Sequence, residues 1–542
     1  MYPKYPFLIL DKFRFSIFSK IRDIYLSSSF YNQKISKIIE KNLVYKPNPN
    51  IVDCIIKFNK KKINIEDFSV SYMWDKENIN DGNYIKLHNF FWLFSINLKS
   101  SNKIIQSVIE DWIDRNKNYK SHNWDLDVLS KRVISLLCNS KITYEDSALN
   151  YKRKFNFLIR KQINHLTFQI EKSKLVDDKI IGCSAIILAG LCYNDEDYLK
   201  YGFKLLKKII SFSLDNNFFP KSRSVRQLIF YLKYYIFIRE LLKDSNQEIP
   251  DYLNETIFYL GQGYKLLCQS INQVSLFNGN QEMNIEDFNS YLKKNGYEFK
   301  DDINEAGGYA LLKDKKTSIV MDLGKPPEKK FSQNYQSGPL SFEFNYLGKK
   351  LICNSGYFQN TRHQLNIISK STVAQSTVII DNRSVSKFRR YSNGIKLVDK
   401  SFKIFNKKIN FDKNKWILAG SHDGYYKTHG IIHQREIEYF PNDFIIRGND
   451  YITRKNSLNN PDFEIRFHFH PDAKLTKTID GKSILIQFEN SGWKFICEDN
   501  IIGLEAGLYF GIKNLYIENQ NIYIEGKINN NKHNVYWEFK KI

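Results

Sequence analysis

The stretch SHDGYY places His422 and Tyr425 in a glycine-containing loop directly after a strand-like run. Loops carried by a rigid scaffold are where binding and catalytic groups concentrate, and an imidazole and a phenol can serve as base and acid. An Asp-Gly pair that simply reverses the chain accounts for the same residues. His433 lies in the alternating run IIHQREIEYF, and His468 and His470 in RFHFHP share one strand face, because residues two apart point the same way. Two imidazoles on one face fit either a metal site, whose third ligand the sequence does not reveal, or a hydrogen-bonded structural pair. Arg223 and Arg226 in KSRSVR stand at a helix entrance, where guanidinium groups and the helix N-terminus both favour carboxylate or sulfate; a solvated helix start explains them equally. Gln336 and Ser337 precede the strand SFEFNY and are placed to form the wall of a site, or merely to open a core hairpin.

Two kinds of element must position these groups. From about Gln33 to Gln273 apolar residues recur at helical spacing, and NFFWLFSINLKSSNKIIQSVIEDWIDRN reads as two helices with Trp92, Ile96, Ile105, Val108, Ile109 and Trp112 facing inward. Further helices follow through DYLNETIFYLGQGYKLLCQSIN, joined by short polar turns. Antiparallel helix hairpins closed into a ring give an α/α toroid with a central groove. After GGYALLKDKKTSIVMDLGKPPEKK the period changes to two, and ten short runs from SFEFNY to NVYWEFKK alternate or are β-rich. Strands without intervening helices imply stacked antiparallel sheets. The expectation is a two-domain α+β chain, an incomplete (α/α) toroid over residues 1–305 followed by an antiparallel β-sandwich over 306–542. Within it, Phe342 and Phe344 alternate with Glu343 and Asn345, YLGK turns, and KLICNSGY returns as the partner strand.

The chain resembles the heparinase II/III-like family of polysaccharide lyases. The resemblance is carried by AGGYALLKDKKTSIVMDLGKPP, QSGPLSFEFNYLGKKLICNSGY, SKSTVAQSTVIIDNRSVSKF, GSHDGYYKTHGIIHQREIEYFPNDFIIRGNDYI and FEIRFHFHP, in family order, with weaker counterparts such as WDLDVLSKRVISLL and LFNG in the helical half. It implies a toroid-plus-sandwich fold and β-elimination on an acidic, uronic acid-containing glycan lying between the two. Elimination requires neutralising the C5 carboxylate, removing the C5 proton and protonating the departing oxygen. On this resemblance His422 and Tyr425 would stand near the reacting sugar, with Gln336 as hydrogen-bond donor to the uronate. Arg132, Trp124, Arg223 and Arg226 would bind substrate, although Arg132 reads equally as a surface arginine. The chain departs from the better-known lyases at two points. Gln336 stands where a histidine is expected, and the AHS-type motif reads AQS, putting Gln375 in place of an imidazole. A divalent metal such as zinc is implied by the family, yet its ligands look incomplete, and no metal ligand is assigned. A glycan-binding or envelope-assembly protein that kept the fold and lost the chemistry is the alternative.

The 542 residues carry a formal charge of +23, with 42% hydrophobic residues and 40 Phe and 34 Tyr, so a folded protein with a substantial core is expected. The basic residues are spread along the chain and no nucleic-acid motif is present, which leaves solvated lysines or an anionic ligand as readings of the excess. Seven scattered cysteines, with no CxxC, give no disulfide framework or zinc site. The N-terminal sequence shows no signal peptide and no run approaches a membrane span. The resemblance implies a cell-envelope or periplasmic location; with no signal peptide visible, unconventional export or a cytoplasmic location is the alternative.

Overall fold

The computed structural model describes residues 5–56, 74, 87–96, 101–390, 395–399, 401–455, 460–513 and 515–542, with side chains from residue 16 onward. Two compact units emerge. One comprises residues 1–213, 230–258 and 290–296; the other comprises 214–229, 259–289 and 297–542. The helical period and the strand period meet near Glu305, whereas the units interleave ahead of that point. The reason is hydrogen bonding: residues 223 and 273–281 of the helical half bond to strands and loops beyond 305.

In the first unit the helices follow the predicted spacing. Asn102–Asn116 buries Ile105, Val108, Ile109 and Trp112 on one face. Leu126–Cys138, Leu149–Gln169, Val176–Cys192 and Glu196–Ser213 follow, and Val225–Asp244 and Asp251–Leu267, each shared between the two units, complete the main series. Glu196–Ser213 begins with two acidic residues, Glu196 and Asp197, which suits the partial positive charge at a helix start. The helix expected around Trp92 is instead a 3-10 turn, Phe91–Ser95. Asn89 caps it by accepting from the Phe91 N–H at 2.9 Å, and Phe90 enters at φ 58°, a left-handed conformation that no helix continues. Ile96 is buried as expected, Trp92 is half-buried, and residues 97–100 lie outside the described set.

The second unit holds the sandwich. In its nine-stranded sheet, Glu305–Ala306, Tyr309–Lys313, Thr317–Asp322, Phe342–Tyr346, Lys349–Cys353, Asp462–Phe469, Ile517–Lys527 and Ile501–Tyr509 lie in that order, with Val378–Ile380 also paired to Asp462–Phe469. The eight-stranded sheet runs Lys474–Lys477, Ser483–Phe488, Ser491–Ile496, Lys532–Lys541, Ile445–Arg454, Ile431–Phe440, Trp416–His422, Ile404–Phe411. Every pairing is antiparallel. Aromatic side chains from both inner faces fill the space between the sheets. Phe342 stacks on Trp537 at 5.8 Å, Phe467 meets the same indole at 4.8 Å, and Phe344 packs edge-on to Trp493 at 5.4 Å. Gly448 pairs with Trp537 across neighbouring strands, and a Cβ there would overlap the indole.

The hairpin Phe342–Tyr346/Lys349–Cys353 closes through Leu347 and Gly348 at φ 48° and 75°, the twist-matched two-residue turn that demands two left-handed residues. Leucine is unsuited to that conformation and here is 60% exposed. Replacing Leu347 with Asn or Gly is therefore expected to stabilise the chain by about 1 kcal/mol, read as a shift in urea midpoint at constant slope.

Candidate functional site

Phe342 and Phe344 enter the sandwich core, yet the opposite, polar face of their strand is buried too. The segment Gln273–Gln281 accounts for this. Leu276 N–H donates to the Glu343 carboxylate at 3.0 Å, and Lys350 Nζ donates to Gln273 Oε1 at 3.0 Å and Val274 O at 2.8 Å. Gln281 Nε2 donates to Tyr357 O at 2.9 Å. Gly279 turns at φ 85°, close against Asn334.

Gln336 is the centre of this layer and is 2% exposed. Its Oε1 accepts from Gly279 N–H at 3.0 Å, its Nε2 donates to Gly356 O at 2.8 Å and Ser369 O at 2.7 Å, and its own N–H donates to Asn278 Oδ1 at 2.9 Å. The amide thus ties four separate segments together. Gln375 is buried beside it and donates to the same Ser369 carbonyl at 3.2 Å. An imidazole has one fewer donor than this amide and could not satisfy all these groups at once.

His422 and Tyr425 come together, their rings 5.8 Å apart, but both are closed into the interior. His422 Nδ1 accepts from Gly424 N–H at 3.1 Å. That fixes the neutral tautomer: His422 Nε2–H donates to His433 Nδ1 at 3.1 Å, and His433 Nε2–H donates to Asp450 Oδ1 at 2.7 Å. Arg435 grips Asp450 through Nε at 2.7 Å and Nη2 at 3.0 Å, and the Trp537 indole N–H donates to Asp450 Oδ2 at 2.8 Å. Burial holds both imidazoles below their usual range. For Asp450, burial alone would raise the carboxyl, but the Arg435 charge and the bonds from His433 and Arg435 outweigh it and hold the carboxylate far below its ordinary range. Arg435 Nη1 also donates to Ser376 O at 2.7 Å and Leu340 O at 3.2 Å, so this internal chain of charges anchors the turns beside Gln336 and Gln375. Tyr425 donates to Arg383 O at 3.0 Å, and burial pushes its phenol up.

The predicted substrate cations are held differently from the expectation. Arg223, at φ 57°, is buried in a fork on Asp322 (Nη2–Oδ1 2.6 Å), donates to Gly307 O at 2.8 Å and lies 4.6 Å over the Tyr309 ring. Burial opposes its charge, but Asp322 more than compensates and the guanidinium is raised above its normal value. In the first unit Arg132 is fully buried against the Trp112 ring and donates to His88 O at 2.7 Å and Asn123 O at 2.9 Å; burial lowers it to about 9. Trp124 is also buried, donating to Asn116 O at 3.3 Å. Each of these side chains holds its own unit together, and none presents its polar atoms on an open wall. Arg226 alone among the predicted cations is half-buried, and its charge acts on Tyr357.

Tyr357, Arg435 and Asp450 were not singled out from sequence. The Tyr357 hydroxyl meets Asn334 Oδ1 at 3.4 Å; burial raises the phenol, opposed by a hydrogen bond with Asn366 and the charge of Arg226. His468 bonds to Ser355 Oγ and Val373 O inside the sheet, while His470 lies beyond the strand end against Glu282 at 3.1 Å, so the two imidazoles do not share ligands. Among the described residues no three His, Cys, Asp or Glu side chains are placed to hold a metal ion. The atoms of His422, His433 and Asp450 are committed to one another, to Gly424 and to Arg435, and Gln375 offers an amide, so this donor set does not fit a divalent cation. The seven cysteines are free and buried.

Near Gln336 the chain buries two ammonium groups with backbone and amide partners. Lys370 Nζ donates to Gln333 O at 2.6 Å and Lys396 O at 2.7 Å, while Lys396 Nζ donates to Thr361 O at 3.0 Å and Asn366 Oδ1 at 3.1 Å. Burial first, then the charge of Lys396, brings Lys370 down to about 7 from 10.5. The unfolded chain therefore binds more protons than the folded one between those values, and stability contributed at Lys370 rises with pH across that window. Comparing wild type with Lys370→Met by urea unfolding from pH 7 to 10, the wild type is expected to gain on the variant by up to about 1.4 kcal/mol per pH unit. Exposed Lys329, Lys330, Arg362, Arg389 and Arg390 lie on the segments these two lysines join.

Residues 304–538 match the family described as Heparinase II/III-like, C-terminal. Over those residues the chain is similar to the heparinase II/III-like family. The fold is also that of solved lyases. Heparan sulfate lyase HepC (mutant) from Pedobacter heparinus superposes with a TM-score of 0.70 at 13% identity, covering 95% of this chain and 87% of that one. Heparinase III gives 0.66 at 13% identity, covering 96% and 86%. In sequence, the chain is 22% identical over 430 residues to FtsZ-localized protein C of Caulobacter vibrioides, covering 76% of this chain and 73% of the relative. The chain thus has a polysaccharide lyase-like fold, helical first and antiparallel sheets after, with amides where the resemblance places imidazoles.

Proposed function

We propose that this heparinase II/III-like protein binds an acidic polysaccharide on the sandwich unit and does not cleave it by β-elimination. The observation that carries this reading is Gln336, which stands in the position expected of a catalytic histidine, with its side-chain oxygen and nitrogen both committed to backbone groups of the interior. His422 and Tyr425 are likewise committed and buried, which leaves no proton-transfer group at the predicted positions. Acidic-glycan binding draws support from the exposed cations at Lys329, Lys330, Arg362, Arg389 and Arg390, and from the likeness in fold to HepC, a heparan sulfate lyase. The name of the Caulobacter relative, an FtsZ-localized protein, supports a cell-associated setting.

Eliminative cleavage is the second reading. Tyr357 is the phenol it would call on, although it is buried and burial raises that group against the charge of Arg226. Titration of the protein with uronic acid-containing oligosaccharides, followed by calorimetry, tests the leading reading. Saturable binding that weakens steeply with salt and falls about tenfold in Arg389→Gln/Arg390→Gln is expected. No binding to any acidic oligosaccharide would reject it.

A further inference from the structure

Within the helix Tyr5–Ser27, the described side chains from residue 16 onward leave an apolar stripe exposed. Ile17, Phe18, Ile21, Ile24 and Tyr25 follow the i, i+1, i+4, i+7, i+8 spacing of a single helix face, and they are 39%, 69%, 56%, 72% and 40% exposed. The other face does the docking: Leu26 is 1% exposed, and Asp23 on the same side reaches the Tyr119 hydroxyl at 3.5 Å. Phe30, just beyond the helix, adds a further 68% exposed ring. A soluble surface seldom leaves so many large apolar side chains in one contiguous row.

The charge around the stripe indicates what covers it. Residues 1–46 carry nine Lys and Arg against three Asp and Glu, and Lys20 and Arg22 are exposed beside the stripe. No helix among the described residues is long and apolar enough to cross a membrane. An apolar stripe flanked by cations on a helix that cannot span is the pattern of a segment lying in a lipid interface, with rings and aliphatic chains below the headgroups and ammonium and guanidinium groups at their level. We infer that residues 16–30 dock on an anionic bilayer surface and hold the protein there peripherally. The inference is independent of the glycan reading, because it uses a different unit and a ligand without sugar acids.

Flotation with vesicles of equimolar phosphatidylglycerol and phosphatidylcholine, compared with phosphatidylcholine alone, tests this. The whole protein is expected to float with the anionic vesicles about tenfold better than with the neutral ones. Phe18→Ser/Ile21→Ser/Ile24→Ser should lose about tenfold or more of that binding while its circular dichroism and melting temperature stay unchanged, since these side chains are exposed. Lys20→Gln/Arg22→Gln should weaken binding mainly at low salt. Absence of vesicle binding would overturn the inference, as would binding undiminished in the triple variant, which would place it on another basic surface. A lipid-free dimer that the triple variant abolishes would overturn it as well, by assigning the stripe to a second copy.

Discussion

Asp450→Ala is expected to cost about 3–5 kcal/mol, enough to remove a large share of the stability of a domain. The loss exceeds that of an ordinary buried hydrogen bond because Arg435 would keep its charge with no counter-ion in a fully buried position. His433 and the Trp537 indole would lose their acceptor at the same time. The check is a urea melt followed by tryptophan fluorescence, with Trp537 and Trp493 in the sandwich core as reporters. Replacing both partners, in Arg435→Met/Asp450→Leu, should cost less than the single change, because an apolar pair removes both charges from the interior. A double variant less stable than the single one would contradict this view of the cluster.

Gln336→Ala is the second large effect. It strips an acceptor from Gly279 N–H and a donor from the Gly356 carbonyl and leaves the Ser369 carbonyl with Gln375 alone, in a buried layer where each group left unsatisfied costs about 1–3 kcal/mol. A total loss of about 3 kcal/mol or more is expected, with faster hydrogen exchange at Gly279 as its local signature. Gln336→His restores the residue type that the family resemblance calls for. It is expected to destabilise the chain similarly and to produce no eliminase, since the imidazole would enter a closed layer of amides. A Gln336→Ala variant as stable as wild type would show that the amide is not a structural node.

The helices and strands were legible in the sequence because local periodicity alone sets which face is buried. Ile105, Val108, Ile109 and Trp112 needed only a 3.6-residue repeat, and the hairpin beyond Gln336 needed alternation and a turn. Alternation also shows His433 and Arg435 on the same inward face as Ile431 and Ile437. It could not show that their acceptor is Asp450, because that pairing depends on the register between two strands. The same limit governs Arg132 and Arg223. The helix carrying Arg132 and the helix entrance at Arg223 are readable, but the carbonyls that claim the two side chains come from residues 9 to 102 positions away. Phe90 at φ 58° ended a predicted helix through a backbone conformation that composition does not announce. The units interleave for a related reason, since Gln273–Gln281 looks helical or loop-like by pattern and joins the sandwich only through its long-range bonds.

The most direct measurement is the ultraviolet absorbance of unsaturated uronate during prolonged incubation of the wild-type protein with a panel of acidic polysaccharides, with and without added divalent cations, alongside binding to the same glycans. Binding with absorbance at the level of the protein-free control is expected. Absorbance that grows in proportion to protein concentration with any of them, and disappears in Tyr357→Phe, would contradict a non-cleaving role and return the fold to lyase chemistry.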